Sequence, residues 1–405
     1  MKKGWQTKTI GDVCEFQRGL TYAKGDEVDV SDNVVLRATN IDLATNLLIF
    51  DELKYINDKV VVPESKKVKK GSLMICTASG SKSHLGKVAF IDDDYGYAFG
   101  GFMGMLTPLN GLSPRYLFHL MTSEDYKDFI GALSDGANIN NLTFDNLKRF
   151  PVPVPPLAEQ QRIVGLLDEA FAGLATAKAN AEKNLQNARA LFESHLQSVF
   201  TQRGPGWVEK KLGEVSEFKN GLNYNKSSGG QTLPVVGVAD FQDNYFVPLS
   251  ELQSATIDGD LADNYAIQPN DILTVRSNGS KHLVGRCMLV GDVDEVVSYS
   301  GFIIRIRFDA KVIFPQFLLH FMKCQVTRDI LTAGGGGANI TNINQEKLST
   351  LLVPLPPYKT QVKLAAALDD MREETQRLAR LYERKHAALE ALKKSLLHQA
   401  FTGEI

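Results

Sequence analysis

The 405-residue sequence has little cysteine and no long apolar run, and each shortage excludes a class of protein. The four cysteines, Cys14, Cys76, Cys287 and Cys324, form no C-x-x-C pair, which argues against a zinc ribbon or a disulfide framework. No apolar run is long enough to cross a bilayer, and no secretory apolar stretch follows the basic N-terminus. We therefore expect a cytoplasmic protein without a membrane-spanning segment.

An excess of charge of either sign is also missing. The chain has 45 Lys and Arg against 47 Asp and Glu, a formal net charge of -2. Composition alone therefore gives no evidence for nucleic-acid binding. A DNA-binding protein with this balance must gather its basic residues on one face or gain affinity from a partner. The length exceeds that of one ordinary core, so two or more domains are expected.

Motifs that carry catalysis are absent as well. Pro356-Pro357-Tyr358 invites comparison with the N-P-P-Y motif of adenine methyltransferases, but Leu355 stands where that motif needs Asn or Asp. The segment from Gly80 to Val88 has the wrong spacing for a phosphate-binding loop and lacks its magnesium-binding hydroxyl. The histidines show no metal-ligand spacing. We predict that this chain is not an enzyme and holds no metal and no cofactor.

What the sequence does contain is a tandem repeat with an offset of about 200 residues. The opening pattern W-x5-G-[DE]-V at Trp5 returns at Trp207. The further matches are Gly80-Ser81-Lys82 with Gly279-Ser280-Lys281, Gly101-Phe102 with Gly301-Phe302, Gly136 to Ile139 with Gly337 to Ile340, and Pro153-x-Pro155-Pro156 plus Gln160 with Pro354-x-Pro356-Pro357 plus Gln361. So many matches in register indicate a duplicated structure.

Each half has the same internal order. Short strand-like segments bounded by Gly, Asp, Asn and Pro come first, a proline-rich strand follows, and a long stretch without proline ends the half. This order predicts an α+β fold with two similar globular α/β domains and a pseudo-two-fold internal repeat. We place the domains at residues 1–157 and 204–357, and the helical regions at residues 158–203 and 358–405.

The helical regions carry apolar residues at a spacing of three and four, which is typical of a coiled coil. At 1.5 Å per residue each would be on the order of 65 Å long, and neither stripe is expected to stay exposed. If a pseudo-two-fold axis relates the halves, the two long helices are antiparallel; two separate helical linkers remain the alternative. The residues predicted to pack the helices against each other or against a partner are Leu167, Leu174, Leu185, Phe192, Leu368, Met371, Leu378, Tyr382, Leu389, Leu392 and Leu396.

Two loops that recur in both halves are candidates for DNA contact. Both combine glycine, which lets the backbone approach a phosphate, with hydroxyls, amides and cations that can bond phosphates or base edges. A solvated hairpin turn is the alternative interpretation. The candidate residues are Ser81, Lys82, Ser83, His84 and Lys87 in the first half and Arg276, Ser277, Asn278, Ser280, Lys281, His282 and Arg286 in the second.

A second polar loop follows in each half, and asparagine there can pair with adenine. Capping of the next helix, at Thr143 or Asn344, is at least as good an explanation. The lysine cluster from Lys66 to Lys70 is either a phosphate patch or a solvated edge strand. Arg18 and Tyr22 with Lys219 and Tyr224 form a weaker candidate set. The candidates in the second loop are Asn138, Asn140 and Asn141, and Asn339, Thr341 and Asn342.

The repeated V-P-x-P-P-x3-Q motif before a long helix that ends in S-x5-F-T resembles the conserved regions of type I restriction–modification specificity subunits. The resemblance covers essentially the whole chain. It implies that each globular domain is a target-recognition domain for one half of a split DNA sequence. It also implies that the helices set the unread gap and dock two modification (methyltransferase) subunits, with restriction subunits completing the complex. S-adenosylmethionine, ATP and magnesium are then expected on those partner subunits.

The geometry expected from the repeat agrees with that resemblance. Two domains related by a two-fold axis would contact half-sites about 10 bp apart. The candidate loops differ in sequence between the halves, so we predict an asymmetric target with two different halves. A protein-interaction scaffold that never touches DNA is the alternative function.

Overall fold

The computed structural model describes residues 4–80, 84–134, 141–224, 228–242, 244–333 and 342–405. The chain divides into two compact units, residues 1–181 with 384–405 and residues 182–383. Each unit joins a globular α+β part to stretches of two long helices, and the predicted fold class is confirmed. The domain boundaries drawn from the sequence stay predictions.

The first unit contains ten strands and four short helices in its described globular part. The helix α2 begins with Pro114 at its first turn, and the hydroxyl of Ser113 caps it. The elements are β1 (Gln6–Thr9), α1 (Ile10–Val13), β2 (Cys14–Arg18), β3 (Glu27–Val28), β4 (Asn33–Leu36), β5 (Lys54–Ile56), β6 (Leu73–Cys76), β7 (Val88–Phe90), β8 (Ala98–Phe99), β9 (Met103–Pro108), α2 (Pro114–Leu120), α3 (Glu124–Ser134), α4 (Phe144–Leu147) and β10 (Pro151–Val154).

The long helix α5 (Leu157–Thr201) leads into the second globular part, which repeats this order. The chain ends with the second long helix, α9 (Tyr358–Thr402). Between them lie β11 (Val208–Lys211), β12 (Ser216–Asn220), β13 (Thr232–Val236), β14 (Ser254–Thr256), β15 (Ile272–Val275), β16 (Cys287–Leu289), β17 (Ser298–Tyr299), β18 (Ile303–Phe308), α6 (Pro315–Lys323), α7 (Gln325–Thr332), α8 (Gln345–Thr350) and β19 (Leu352–Leu355).

Sheet topology repeats along with the sequence. An antiparallel sheet of order β2-β9-β6-β7 in the first unit corresponds to β12-β18-β15-β16 in the second. A mixed sheet with β5-β4-β8 corresponds to β14-β13-β17, and in each the last pair is parallel. The proline-rich strands β10 and β19 pair with β1 and β11 at the base of each globular part.

The two long helices run antiparallel in each unit. In the first unit Lys178 of α5 pairs with Glu390 of α9 at 3.1 Å. Leu167, which precedes Lys178 on α5, shares a core with Phe401, which follows Glu390 on α9. In the second unit Arg189 lies 3.8 Å from Glu383, and the later residue Phe200 on α5 shares a core with the earlier residue Leu368 on α9. In the described part of the chain, no helix is long and apolar enough to cross a membrane.

Most of the predicted packing residues lie on the buried or half-buried side of these helices, but Leu392 does not. Its side chain is 48% exposed, so it lies off the packed face of the two helices, and its packing against a partner stays a prediction. An α-helix repeats every 3.6 residues, so a heptad pattern counted from Tyr382 drifts around the helix. Buried are Leu167, Phe192 and Leu368, and half-buried are Leu174, Leu185, Met371, Leu378, Tyr382, Leu389 and Leu396.

The glutamine of the repeated proline motif explains why that motif precedes each long helix. Gln160 is fully buried; its carbonyl accepts from the backbone N–H of Ser113 (2.7 Å), and its amide donates to the carbonyls of Gly111 and Pro155 (2.9 Å each). Gln361 makes the same three bonds, to Phe314, Val312 and Pro356. This side chain therefore fastens the start of each long helix to its globular part.

A buried histidine makes a second fastening in each unit. His119 on α2 contacts the Asp168 carboxylate of α5 at 2.7 Å, and His320 on α6 contacts Asp369 of α9 at 3.0 Å. Burial lowers the pKa of His119, which keeps the imidazole neutral as a donor. Burial alone would raise the pKa of Asp168, but the bonds from Arg115 and His119 outweigh it, and that pKa is lowered.

Candidate nucleic-acid interface

The two candidate loops of each half are neighbours in the structure. In the first unit the loop after β6 and the polar loop before α4 meet through a β-bridge between Ala78 and Asn141. The backbone N–H of Leu142 donates to the carbonyl of Thr77 at 2.6 Å. In the second unit Ser277 bridges to Asn342 in the same way. The fold thus joins segments that are about 60 residues apart in sequence.

A third segment, the turn between β8 and β9, is hydrogen-bonded to the loop after β6. The carbonyl of Phe102 accepts from the backbone N–H groups of Thr77 (2.9 Å) and Ala78 (3.1 Å). In the second unit the carbonyl of Phe302, in the turn between β17 and β18, accepts from the N–H of Arg276 (2.9 Å). We call this meeting of the three segments the three-loop junction. Two of its backbone bonds recur in both units: the one from Thr77 or Arg276 to the phenylalanine carbonyl, and the one from Leu142 or Ile343 to the carbonyl of Thr77 or Arg276.

Local sequence explains why these segments can meet. The candidate loops end at Gly86 (φ 74°) and Gly285 (φ 79°), a left-handed backbone conformation that glycine adopts without strain. Thr143 and Asn344 cap α4 and α8 by accepting from backbone N–H groups at 3.2 and 2.8 Å. The capping explanation of these two residues is therefore confirmed, and their oxygens are occupied within the domain.

The candidate residues of the second unit divide between exposed and internal positions. Ser280, Lys281 and His282 are exposed at the tip of the loop. The side chain of Asn278 accepts from the backbone N–H of Ser280 at 2.8 Å, which fixes the turn. The tip therefore presents a cation and a hydroxyl on an ordered backbone, which suits phosphate or base contact.

Two candidate cations point into the fold instead. The Lys87 ammonium donates to the carbonyl of Ile41, and burial lowers its pKa. Its counterpart Arg286 donates to the carbonyls of Gln242 and His282. These side chains fasten the loop to the domain, so the structure gives them a supporting position. The two residues match in the repeat, yet the sequence could not show which way they point.

Other candidates have mixed outcomes. Asn141 and Asn342 are exposed, His84 and Ser277 are half-buried, and Arg276 is half-buried with its backbone in the junction. Ser81, Lys82, Ser83, Asn138, Asn140, Asn339 and Thr341 lie outside the described residues.

The lysine cluster of the first half serves the domain itself. Lys66 donates to the carbonyl of Arg18 at 2.8 Å, Lys67 pairs with Glu64 at 2.6 Å, and Lys70 lies 3.7 Å from Asp93. Three of its lysines therefore have internal partners, which favours the solvated-edge interpretation over a phosphate patch.

A cavity of about 560 Å³ adjoins the junction of the first unit. Its lining includes Tyr22, Arg37, Thr39, Ala78 and Phe102, so polar and aromatic groups share one concave surface. Burial raises the pKa of Tyr22, which keeps the phenol protonated as a donor. Tyr22 was a weak candidate from sequence, and Arg37 and Phe102 were not candidates at all. Among the described residues, no cluster of His, Cys, Asp and Glu is arranged to hold a metal ion.

Comparison with known proteins decides the family. A sequence model described as the type I restriction modification DNA specificity domain matches residues 2–185 and 205–383. The chain belongs to this family. It is a type I restriction–modification specificity subunit with two DNA specificity domains, a non-catalytic member of its system. The family resemblance inferred from the repeated motifs is confirmed.

Relatives of this specificity subunit match along its whole length. The StySPI specificity subunit of Salmonella potsdam is 28% identical, with 100% of this chain and 90% of that protein covered. The EcoKI specificity subunit of Escherichia coli K12 is 26% identical with the same coverage.

Solved structures of the same fold include the HsdS subunit from Thermoanaerobacter tengcongensis, at a TM-score of 0.63 and 19% identity, covering 100% of this chain and 98% of that one. A chain from a study of complex assembly and conformational transition of the type I R-M system gives a TM-score of 0.80, also at 19% identity, and covers 100% and 99%.

Proposed function

We propose that the two units of this specificity subunit each bind one half of a bipartite, asymmetric DNA sequence through their three-loop junctions. The observation that carries this proposal is the recurrence of the junction in both units, while the sequences of the loops that it joins differ. The backbone bonds that the two junctions share would give both units the same way of presenting loops to DNA. Different side chains at the loop tips would give them different base preferences.

We further propose that the antiparallel helices set the unread gap between the half-sites and dock methyltransferase subunits. S-adenosylmethionine would be bound by those subunits, ATP and magnesium by restriction subunits, and none of the three by this chain. The near-neutral charge of the chain supports a protein that binds DNA fully only within such a complex. Four unpaired, buried thiols fit a reducing cytoplasm.

Lys281→Ala tests the DNA contact. We expect weaker binding to every duplex and a salt dependence whose logarithmic slope falls by about one, because one phosphate contact is lost. The measurement is fluorescence anisotropy of labelled duplexes, from low to physiological salt, with the full chain in complex with its methyltransferase subunits. Lys311→Ala is the matched control, since Lys311 is also exposed but lies beyond the opposite end of β18.

An unchanged slope for Lys281→Ala would remove this residue from the contacts. If the complex binds no duplex even at low salt, the alternative function, a protein-interaction scaffold, is favoured. Methyladenine mapping in cells that carry the system would identify the two half-sites and their gap.

The gap-setting role has its own test. Deleting about seven residues from each helix removes two turns, or roughly 10 Å of rise, and keeps the packed face in phase. The α5 deletion would fall within residues 175–193. We expect the methylated sites to shift to a shorter gap, and retention of the original gap would contradict the proposal.

A further inference from the structure

Each unit exposes one large aromatic ring at its three-loop junction. Phe102 is 74% exposed and Phe302 is 61% exposed. Each follows a glycine in a tight turn between two core strands, and its carbonyl is hydrogen-bonded by the candidate loop. The main chain of each phenylalanine is therefore held in place while its ring projects into solvent. Such a ring contributes little to the core of its own domain.

The phenylalanine occurs in both units, although the loop residues beside it differ. Beside Phe102 the bonded loop residues are Thr77 and Ala78, whereas the loop residue bonded to Phe302 is Arg276. Single exposed apolar side chains are ordinary on protein surfaces. The same exposed phenylalanine at equivalent positions of two units, each time next to the proposed DNA-binding loops, points to a contact that both units make.

The surroundings of Phe102 indicate the kind of ligand. Its ring lies on the lining of the 560 Å³ cavity, together with Arg37, Thr21 and Thr39. A flat apolar ring between hydrogen-bonding groups suits a ligand that offers both a π-face or methyl group and polar edges. In a duplex, base pairs offer this combination in the major groove, where a thymine methyl group lies beside polar base edges, whereas the phosphate backbone offers only charge.

We propose that Phe102 and Phe302 are specificity-determining residues that lay their rings against bases, one ring in each half-site. This inference rests on the proposed function, since it requires that the two units bind DNA. The contact is apolar, so it releases no counterions, and its strength depends on the base that meets the ring. The exposed Lys281 would supply a phosphate contact beside the ring of the second unit.

Phe102→Ala and Phe302→Ala test the proposal in the full chain with its methyltransferase subunits. On the duplex identified by methyladenine mapping, we expect each variant to bind about tenfold more weakly, as for loss of one base contact in a groove, with an unchanged salt slope. Scrambling one half-site should abolish the effect of one variant, and scrambling the other should abolish the effect of the other. Val61→Ala and Val312→Ala are controls, because these exposed side chains lie away from the junction (85% and 45% exposed).

The outcomes separate this inference from the proposed function. If both phenylalanine variants bind the cognate duplex normally while Lys281→Ala weakens binding, the ring contact is wrong and DNA binding stands. An equal loss on cognate and fully scrambled duplexes also overturns a base-specific contact. So does loss of methyltransferase subunits during co-purification, since the rings would then belong to a protein interface. If the unaltered complex binds no duplex, the proposed function itself fails.

Discussion

Replacing the buried glutamine of the repeated motif should uncouple a long helix from its globular part. Gln160→Ala leaves one backbone N–H and two carbonyls, those of Ser113, Gly111 and Pro155, without their partner inside the protein. An unsatisfied buried group costs about 1–3 kcal/mol. Pro155 is buried, whereas Ser113 is half-buried and Gly111 is exposed. With the middle of that range for the Pro155 carbonyl and the low end for the Ser113 N–H, we expect the free energy of unfolding of the first unit to fall by about 3 kcal/mol.

The chain is well suited to measuring this effect, because its two tryptophans lie in different units. Trp5 packs against the core of the first unit and Trp207 against that of the second. In a Trp207→Phe background, urea unfolding followed by fluorescence reports the first unit, and Trp5→Phe reports the second. With a urea dependence of about 2–3 kcal/mol per molar, the Gln160→Ala midpoint should fall by roughly 1 M or more.

Gln161→Ala is the matched control, since Gln161 is the next residue of the same helix and is exposed. It should leave the midpoint nearly unchanged, as surface substitutions usually do. Gln361→Ala should reproduce the loss in the second unit, reported by Trp207. A Gln160→Ala midpoint equal to that of the control would show that water or local rearrangement replaces the three bonds, and the fastening role would be refuted.

Three further predictions concern stability. Asp271→Ala removes both hydrogen bonds to the Arg307 guanidinium (2.6 and 2.7 Å). We expect the free energy of unfolding of the second unit, measured in urea, to fall by about 3 kcal/mol. A fall of less than about 1 kcal/mol would contradict a buried ion pair. Burial lowers the pKa of His119, so the unfolded chain binds a proton at this imidazole more readily than the folded chain does. The stability that His119 contributes is therefore fully present above about pH 6.5, and it decreases as the pH falls below that value. His119→Gln should flatten that dependence in melting temperatures from pH 7 to 5, and identical slopes would argue against a neutral buried imidazole. Leu389→Ala removes a half-buried side chain and should destabilise the first unit by about 1–2 kcal/mol. Leu392→Ala removes an exposed side chain and should destabilise it by less than about 0.5 kcal/mol. The reverse order would show that Leu392 packs between the two helices.

The overall architecture could be predicted from the sequence because the chain contains a duplication, so that motifs found in one half could be checked against the other half. Matched motifs such as that around Gln160 and Gln361 fixed the order of elements, and the absence of proline fixed the extent of α5 and α9. Cap positions at Thr143 and Asn344 were also predictable, because capping depends on a few neighbouring residues. These features rest on local chemistry or on internal repetition.

Side-chain direction was harder to predict, since it depends on contacts with distant parts of the chain. Lys87 and Arg286 point to carbonyls about 45 residues away, at Ile41 and Gln242, which no local pattern reveals. Phe102 was visible as a repeated Gly-Phe pair, but a phenylalanine near β-strands is usually assigned to the core. Only the packing of the strands on either side shows that its turn faces solvent.

The bonds made by Gln160 and Gln361 reach only main-chain atoms of the globular parts. An attachment to main-chain atoms does not depend on which side chains the globular part carries at those positions. A foreign recognition module could therefore be grafted onto the same two helices, provided that its backbone turned at the right place and that it kept a histidine to meet Asp168 or Asp369. The attachment through this glutamine is generic, which leaves the sequence of the proposed DNA-binding loops free to diverge.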